Sequence, residues 1–393
     1  MDSLLGLREQ EETDVEDVKV KEMAFEVGQE VLMNCLDICG KIVPKTANVM
    51  PILQTVKFEL KGNLLLITAT DINQSLMYKV DVKNTGGVNG SYLFPAKEGI
   101  ELIKRLPKKS LILAKQETNL LINYGASRTA SLRILDSEQF PPLPNVETVE
   151  LQAISYETLR RASIGALFAS GNESTPQLLG IHISNHEGKI TFAATDRHRV
   201  FRYISDVEIL DSESFLTGII HAKSFKHIVA SFKDEKHIEM GMSKNYLILR
   251  NSSMVYFGKL LEAEFPDLRS IFKAADQGTG VTLQKEELDN TLFRALSLES
   301  ENHRVTFEVD ESGEFIIHKA SENSELREGF PDAVVESNEF PTLKLNGKFV
   351  RDALLMGDPD VKTVHFKVTG SKSPMYVTFE GDPSVIAILL PLM

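Results

Sequence analysis

LFPAKEGIELIKRL (residues 93–106) starts as a short apolar stretch, turns at a small residue and continues as an amphipathic helix. The chain writes the same figure twice more, as IIHAKSFKHIVASF (219–232) and LKLNGKFVRDALLM (343–356). Anchored on Ala96, Ala222 and Asn346, the copies lie 126 and 124 residues apart. A second helix precedes each: QEVLMNCLDICGKI (29–42), SYETLRRASIGALFA (155–169) and QKEELDNTLFRALSL (284–298). Their Leu32, Leu159 and Leu288 are 127 and 129 residues apart. Two independent anchors sharing nearly one period predict three copies of one structural unit.

Between the helices the sequence reads as strands: NLLLITATD, SLMYKVDV, SLILAKQ, NLLINYG and TASLRIL are short, apolar or alternating, and bounded by turn residues. The texture returns at KITFAATD, HIEMGMS and YLILRNSS, then at RVTFEVD, EFIIHKA, VHFKVTG and PMYVTFEG. Each unit is therefore expected to be α+β, an antiparallel sheet with two helices on one face. SEQFPPLPN (137–145) and EAEFPDLRS (262–270) read as extended, polar, Pro-bearing linkers. The units are expected at 24–147, 148–273 and 274–393, behind an acid-rich extension, 1–23, expected to be disordered.

The composition, 42% hydrophobic and 25% charged, is that of a soluble globular protein. Cys35 and Cys39 stand one helical turn apart without further cysteines, which predicts two buried thiols in a reducing compartment. No apolar run approaches a membrane span, and the acidic N-terminus is not a secretory signal, so a cytoplasmic protein without membrane contact is expected. The formal charge of −13 argues against wholesale coating of nucleic acid. Its distribution matters more. The six helical windows carry +7 together, leaving −20 elsewhere.

Basic helices and acidic sheets suit one assembly. Three units joined edge to edge form an arc with helices inside, and two arcs related by a two-fold axis close into a ring. Twelve helices, each about 10 Å across, would surround a bore of about 28 Å. That bore holds a DNA duplex with a layer of water, gripping phosphates without reading bases.

AATDRHRVFRY (193–203) packs a carboxylate and an imidazole among arginines, the raw material of a hydrolase built on Asp196 and His198. The remaining candidates are weaker. His182 and His186 lack the company of further ligands at metal-binding spacing, so no metal or cofactor is expected. GGVNG (86–90) has no following Lys-Ser/Thr and reads as a hairpin turn. No nucleophile elbow and no RNA-binding signature occur.

Taken in order, ATDRHRV, FPDLRSIF and the terminal VIAILLPLM resemble motifs of the bacterial DNA polymerase III beta subunits, the sliding clamps, over residues 24–393. The resemblance implies three DNA-clamp domains per chain, sheets outside and helices inside, in a ring-shaped homodimer. Such a ring is opened by a clamp loader, tethers the replicative polymerase and other DNA enzymes, and is not itself an enzyme. It further implies a pocket for short leucine- or phenylalanine-bearing partner peptides. By matching position this pocket uses Leu178, Thr195, His198, Arg199 and Val200 with Ile388, Leu390, Pro391 and Leu392, with Arg197 and Met393 at its rim. In it His198 and Arg199 are expected to grip polar groups of the peptide. Contacts to double-stranded DNA fall by resemblance on Lys97, Lys223, Asn172 and Gln177. Charge and placement add Lys45, Lys104, Arg160 and Lys226. Leu132 and Leu298 map near the dimer seam.

The sequence departs from the family at Arg197, where glycine is usual, so an altered turn is expected. It departs at Met393, where relatives continue with Arg and Leu, and at Pro176 and Gln177, often aromatic in relatives. SLLGL (3–7) faintly resembles the peptides that clamps bind, which suggests self-occupation of the pocket. Three functions stand side by side: a sliding clamp, a clamp-like regulator that binds partner peptides without encircling DNA, and a metal-dependent phosphodiester hydrolase.

Overall fold

The computed structural model describes residues 22–45, 50–146, 149–209, 217–299, 301–337 and 339–392. The expectations for residues 1–21, including SLLGL, and for Met393 lie outside the described residues.

The first unit runs β1 (Ala24–Gly28), α1 (Gln29–Gly40), β2 (Thr55–Lys61), β3 (Leu64–Thr70), β4 (Gln74–Asp81), β5 (Lys83–Asn84), β6 (Gly90–Pro95), α2 (Ala96–Arg105), β7 (Ser110–Gln116), β8 (Asn119–Gly125) and β9 (Arg128–Arg133). The second runs β10 (Gln152–Ile154), α3 (Tyr156–Ser163), β11 (Gly180–His186), β12 (Lys189–Thr195), β13 (Arg199–Glu208), β14 (Gly218–His221), α4 (Ala222–Val229), β15 (Ile238–Met242), β16 (Tyr246–Arg250) and β17 (Met254–Lys259). A short α5 (Arg269–Phe272) leads to the third: β18 (Thr279–Gln284), α6 (Lys285–Leu296), β19 (Arg304–Val309), β20 (Phe315–Ala320), β21 (Glu325–Phe330), β22 (Val334–Val335), β23 (Leu343–Asn346), α7 (Gly347–Leu354), β24 (Thr363–Val368), β25 (Met375–Phe379) and β26 (Asp382–Leu389).

The repeated helices form where the period places them. α2, α4 and α7 begin at Ala96, Ala222 and Gly347, 126 and 125 residues apart. Asn346 is the cap of α7, its Oδ1 accepting from the Lys348 and Phe349 amides at 3.0 and 3.3 Å. α3 is capped likewise by Ser155 Oγ, which accepts from the Thr158 amide at 3.0 Å. It is shorter than the sequence suggests, tightening into a 3-10 turn over Ile164–Leu167. In α1, Cys35 and Cys39 are free and buried. Burial raises both thiols, Cys35 to about 12, so neither is a reactive thiolate near neutral pH.

The sheets correct one expectation. Each unit contributes to two antiparallel sheets, and two of the four sheets run through from unit to unit. β4 of the first unit pairs with β17 of the second, closing an eight-stranded sheet. β13 of the second pairs with β26 of the third, closing a nine-stranded one. GGVNG is accordingly not a hairpin turn, because β5 before it pairs with β1 and β6 after it pairs with β2 in another sheet. Two half-sheets remain without such a continuation. One ends at β9 and the other at β21.

Phe25, Phe58, Phe94, Phe192, Phe201, Phe307 and Phe315 on the strands, with Phe225 of α4, are fully buried between sheets and helices. At 25 cal/mol per Å² each such ring contributes about 2–3 kcal/mol relative to exposure, which makes this face of every sheet the anchor of its unit.

Candidate functional site

The quoted AATDRHR stretch forms the hairpin between β12 and β13. Thr195 Oγ1 donates to the Arg199 carbonyl at 2.7 Å and accepts from the Arg197 amide at 3.2 Å. Asp196 Oδ1 accepts from the amides of His198 and Arg199 at 3.0 and 3.1 Å, and its Oδ2 takes the Arg199 Nε at 2.9 Å. The turn requires a left-handed residue, and Arg197 supplies it at φ 78°.

The first unit contains the same hairpin. Thr70 Oγ1 donates to the Gln74 carbonyl at 2.9 Å and accepts from the Ile72 amide at 3.2 Å. Asp71 Oδ1 takes the amides of Asn73 and Gln74, its Oδ2 takes Gln74 Nε2, and Ile72 has φ 77°. A side chain is thus held in the left-handed region at both places, and the hairpin accepts Arg197 as it accepts Ile72. Asp196 is committed to its hairpin, as Asp71 is, and leaves no free carboxylate beside His198 to activate water.

Pairing of β13 with β26 brings the expected pocket residues together. Arg199 lies opposite Leu389 and Val200 opposite Ile388, while the Leu390 amide donates to the His198 carbonyl at 2.8 Å. Arg197, His198 and Leu390 are exposed, and Pro391 and Leu392 are half-buried. Thr195, Val200 and Ile388 are buried, and Leu178 is buried in a 3-10 turn, Pro176–Leu178, ahead of β11.

Arg199 departs from its expected role as a grip for a peptide. Its side chain is 9% exposed, and its Nη1 pairs with Asp352 of α7 at 2.6 Å. Its Nη2 donates to the Leu167 carbonyl, and the guanidinium lies over Phe349 at 4.0 Å. All three guanidinium nitrogens are engaged, two within the second unit and one across the joint with the third. Arg161 of α3 makes a similar bond to Asp382 of β26.

The linker expected at EAEFPDLRS (262–270) has no helix or strand before Arg269 and is mostly exposed, but its Phe265 and Leu268 turn inward. Phe265 stacks on His182 of β11 at 4.7 Å, and burial pushes that imidazole down to about 4. Leu268, Ile271, Phe272, Ala274 and Ala275 pack on the apolar patch of Val200, Tyr376, Ile386 and Ile388. The Tyr376 hydroxyl, raised by burial, donates to the Ile271 carbonyl at 2.8 Å. Arg202 lies over Phe272 at 3.9 Å, and burial lowers its guanidinium. Ile271 and Phe272 thus wall the site beside Val200. Their spacing with Leu268 marks one face of a helical turn, the signal by which the sequence could have disclosed them.

Among the cations assigned to DNA, Lys45, Lys97 and Lys226 border one cavity of about 1280 Å³ between the first two units, with Lys41 beside them. Its floor is apolar, from Leu36, Val43 and Ile100. Lys104 and Lys223 are exposed on α2 and α4. Arg160 differs, because Glu157 engages its Nε and Nη2 at 2.7 and 2.5 Å. Asn172 is exposed and its Oδ1 accepts from the Ser174 amide, while Gln177 is half-buried in the 3-10 turn. Leu132 is half-buried on β9, and Leu298 lines a separate cavity beside β20. No helix among the described residues is long and apolar enough to cross a membrane.

Comparison with known proteins bears on this arrangement. The family models "DNA polymerase III beta subunit, N-terminal domain" and "DNA polymerase III beta subunit, central domain" match residues 23–144 and 154–267, together more than half of the chain. A "Beta sliding clamp" of Staphylococcus aureus (strain N315) is 26% identical over 385 residues, spanning 94% of this chain and 99% of that one. That of Halalkalibacterium halodurans is 23% identical over 367 residues, spanning 91% and 96%. Among solved structures, the DNA polymerase sliding clamp from Bacillus subtilis superposes with TM-score 0.86 at 19% identity, covering 95% of this chain and 99% of that one. The DNA polymerase beta subunit of Streptococcus pyogenes gives 0.84 at 22%, covering 94% and 100%. At these identities the structural likeness is one of fold.

Proposed function

Because this chain belongs to the DNA polymerase III beta-subunit family, we propose that it is a sliding clamp, a non-catalytic ring that encircles duplex DNA and tethers the replicative polymerase. The observation that carries this reading is the pattern of strand exchange. Twice within the chain the last strand of one unit pairs with the fourth strand of the unit before it, β17 with β4 and β26 with β13. β9 and β21 are the corresponding strands left over at the two ends.

A second copy repeats the step head to tail and closes six units into a ring with no free strand at the joints. The register follows from the internal joints. Gly258 faces Gln74 and Leu389 faces Arg199, so Leu132 of one copy faces Ser324 of the other. This supports Leu132 as a seam residue, with Leu298 in the cavity beside β20. The cations Lys45, Lys97, Lys104, Lys223 and Lys226 then face phosphates, and Arg160, held by Glu157, contributes less.

Partner peptides bearing Leu or Phe would enter beside Val200, Ile271, Leu390 and Leu392, with His198 and Arg197 at the rim. Arg199 acts by holding the second and third units in register rather than by touching the peptide. The protein would work in the cytoplasm on chromosomal DNA. The test is topological: loaded by a clamp loader on nicked circular DNA, the protein should stay until the circle is linearised and then slide off. Retention on the linear product, or failure to load, would overturn the reading.

A further inference from the structure

The third unit holds a buried charge that no described residue pairs with. Lys319 on β20 is 2% exposed, yet among the described residues its Nζ has no hydrogen-bond partner. It lines a cavity of about 940 Å³ with Leu296, Leu298, Arg304 and Lys344, and the exposed carboxylates at the same cavity, Glu299, Glu301 and Glu322, make no ion pair with it among the described residues. The Arg304 Nε is also unpartnered. A buried ammonium is retained where something pairs with it.

Strand register identifies what is missing. Thr70, Thr195 and Ala320 face Ser75, Val200 and Glu325 across their hairpins, so Ala69, Ala194 and Lys319 occupy one position in the three units. By the same register Gln74, Arg199 and Ser324 occupy another. In the second unit the cation comes from Arg199, rests against the Leu167 carbonyl and pairs with Asp352, the sixth residue of α7. In the third unit Ser324 has no charge. Leu296, which follows the start of α6 by the same eleven residues that separate Leu167 from the start of α3, lines the cavity. Lys319 supplies the cation there from the neighbouring strand. The unit that would follow is the first unit of another copy, and the sixth residue of its α2 is Glu101. Among the described residues of its own chain Glu101 pairs only with the exposed Arg105, at 3.2 Å, a pairing of little strength.

We propose that Lys319 pairs across the ring seam with Glu101 of the partner subunit, doing between chains what Arg199 and Asp352 do within one. This rests on the head-to-tail reading above and adds to it the side chains that lock the seam. The joint between the first two units differs from both, being closed by the neutral Gln74.

The test is the dimer dissociation constant of the full chain, read by sedimentation or mass photometry. Lys319→Met keeps the apolar stem and strands Glu101, and should weaken the dimer about tenfold or more, the equivalent of at least 1.4 kcal/mol. Glu101→Lys should weaken it further, by setting two cations together. The exchange Lys319→Glu with Glu101→Lys should recover most of the loss, with circular dichroism checking that each variant is folded. A wild-type dimer whose dissociation constant is unmoved by Lys319→Met and Glu101→Gln would overturn the pair and leave the ring standing. A wild-type chain that stays monomeric at micromolar concentration would overturn the ring itself.

Discussion

The two internal joints of the chain share a backbone and differ in chemistry. Both begin at a Thr-Asp hairpin with a left-handed third residue, and both pass one strand into the sheet of the next unit. At the first joint the hairpin ends in Gln74, whose amide binds Asp71 and accepts from the Tyr256 hydroxyl at 3.1 Å. At the second it ends in Arg199, shared between two carboxylates, and a packed linker seals the outer face. Hairpin geometry therefore sets how units join. The side chain after it differs, and the joint with the buried ion pair is the one beside the candidate peptide site.

The largest test of that contrast removes the charge. Arg199→Ala leaves Asp196 and Asp352 close together without a cation, which should cost about 3–5 kcal/mol in chemical denaturation. If the loss is under about 1 kcal/mol, the second joint is no stronger than the first and the contrast fails.

Acid should loosen the second joint next. Folded His182 takes up its proton only near 4, against 6.5 for a free imidazole, because it is buried under Phe265. Between those values the unfolded chain binds more protons, so stability falls as the pH drops from about 6.5 towards 4, by on the order of 2 kcal/mol. Melts of wild type and His182→Phe at pH 7 and pH 5 should diverge only at the lower pH. Parallel curves would remove His182 from the account.

What the sequence disclosed follows the range of the interactions involved. The helices at Ala96 and Ala222 and the strands SLILAKQ and NLLINYG were legible because their signals are local and periodic. The division into two sheets was not. GGVNG carries the same turn chemistry whether the chain folds back on itself or crosses to another sheet, and its partners lie elsewhere. The membership of the candidate site was legible as a run of residues, but not their duties. Arg199 is buried by an aspartate 153 residues away, and no local pattern encodes that distance. FPDLRSIF showed Pro and Asp more plainly than it showed its buried face.

At the first joint a smaller effect is expected. Gln74→Ala deletes one acceptor and strands the Tyr256 hydroxyl, which should cost about 1–2 kcal/mol. A loss equal to that of Arg199→Ala would mean that both joints depend on their hairpins alone.

The smallest effect reverses sign and tests the shared hairpin. Ile72 and Arg197 sit at φ 77° and 78°, where an L side chain crowds the following carbonyl at about 1–2 kcal/mol. Glycine relieves that crowding but loses more chain entropy on folding, by about 0.5–1 kcal/mol, so the net gain is about 0–1.5 kcal/mol. Ile72→Gly should gain more than Arg197→Gly, since β-branching makes the left-handed region harder for isoleucine. Thermal melts of the two variants would show this as a small rise in Tm, larger for the first joint. If Arg197→Gly instead lowers Tm while Ile72→Gly raises it, the Arg197 side chain stabilises the second joint through contacts of its own, and the two hairpins are alike in backbone only.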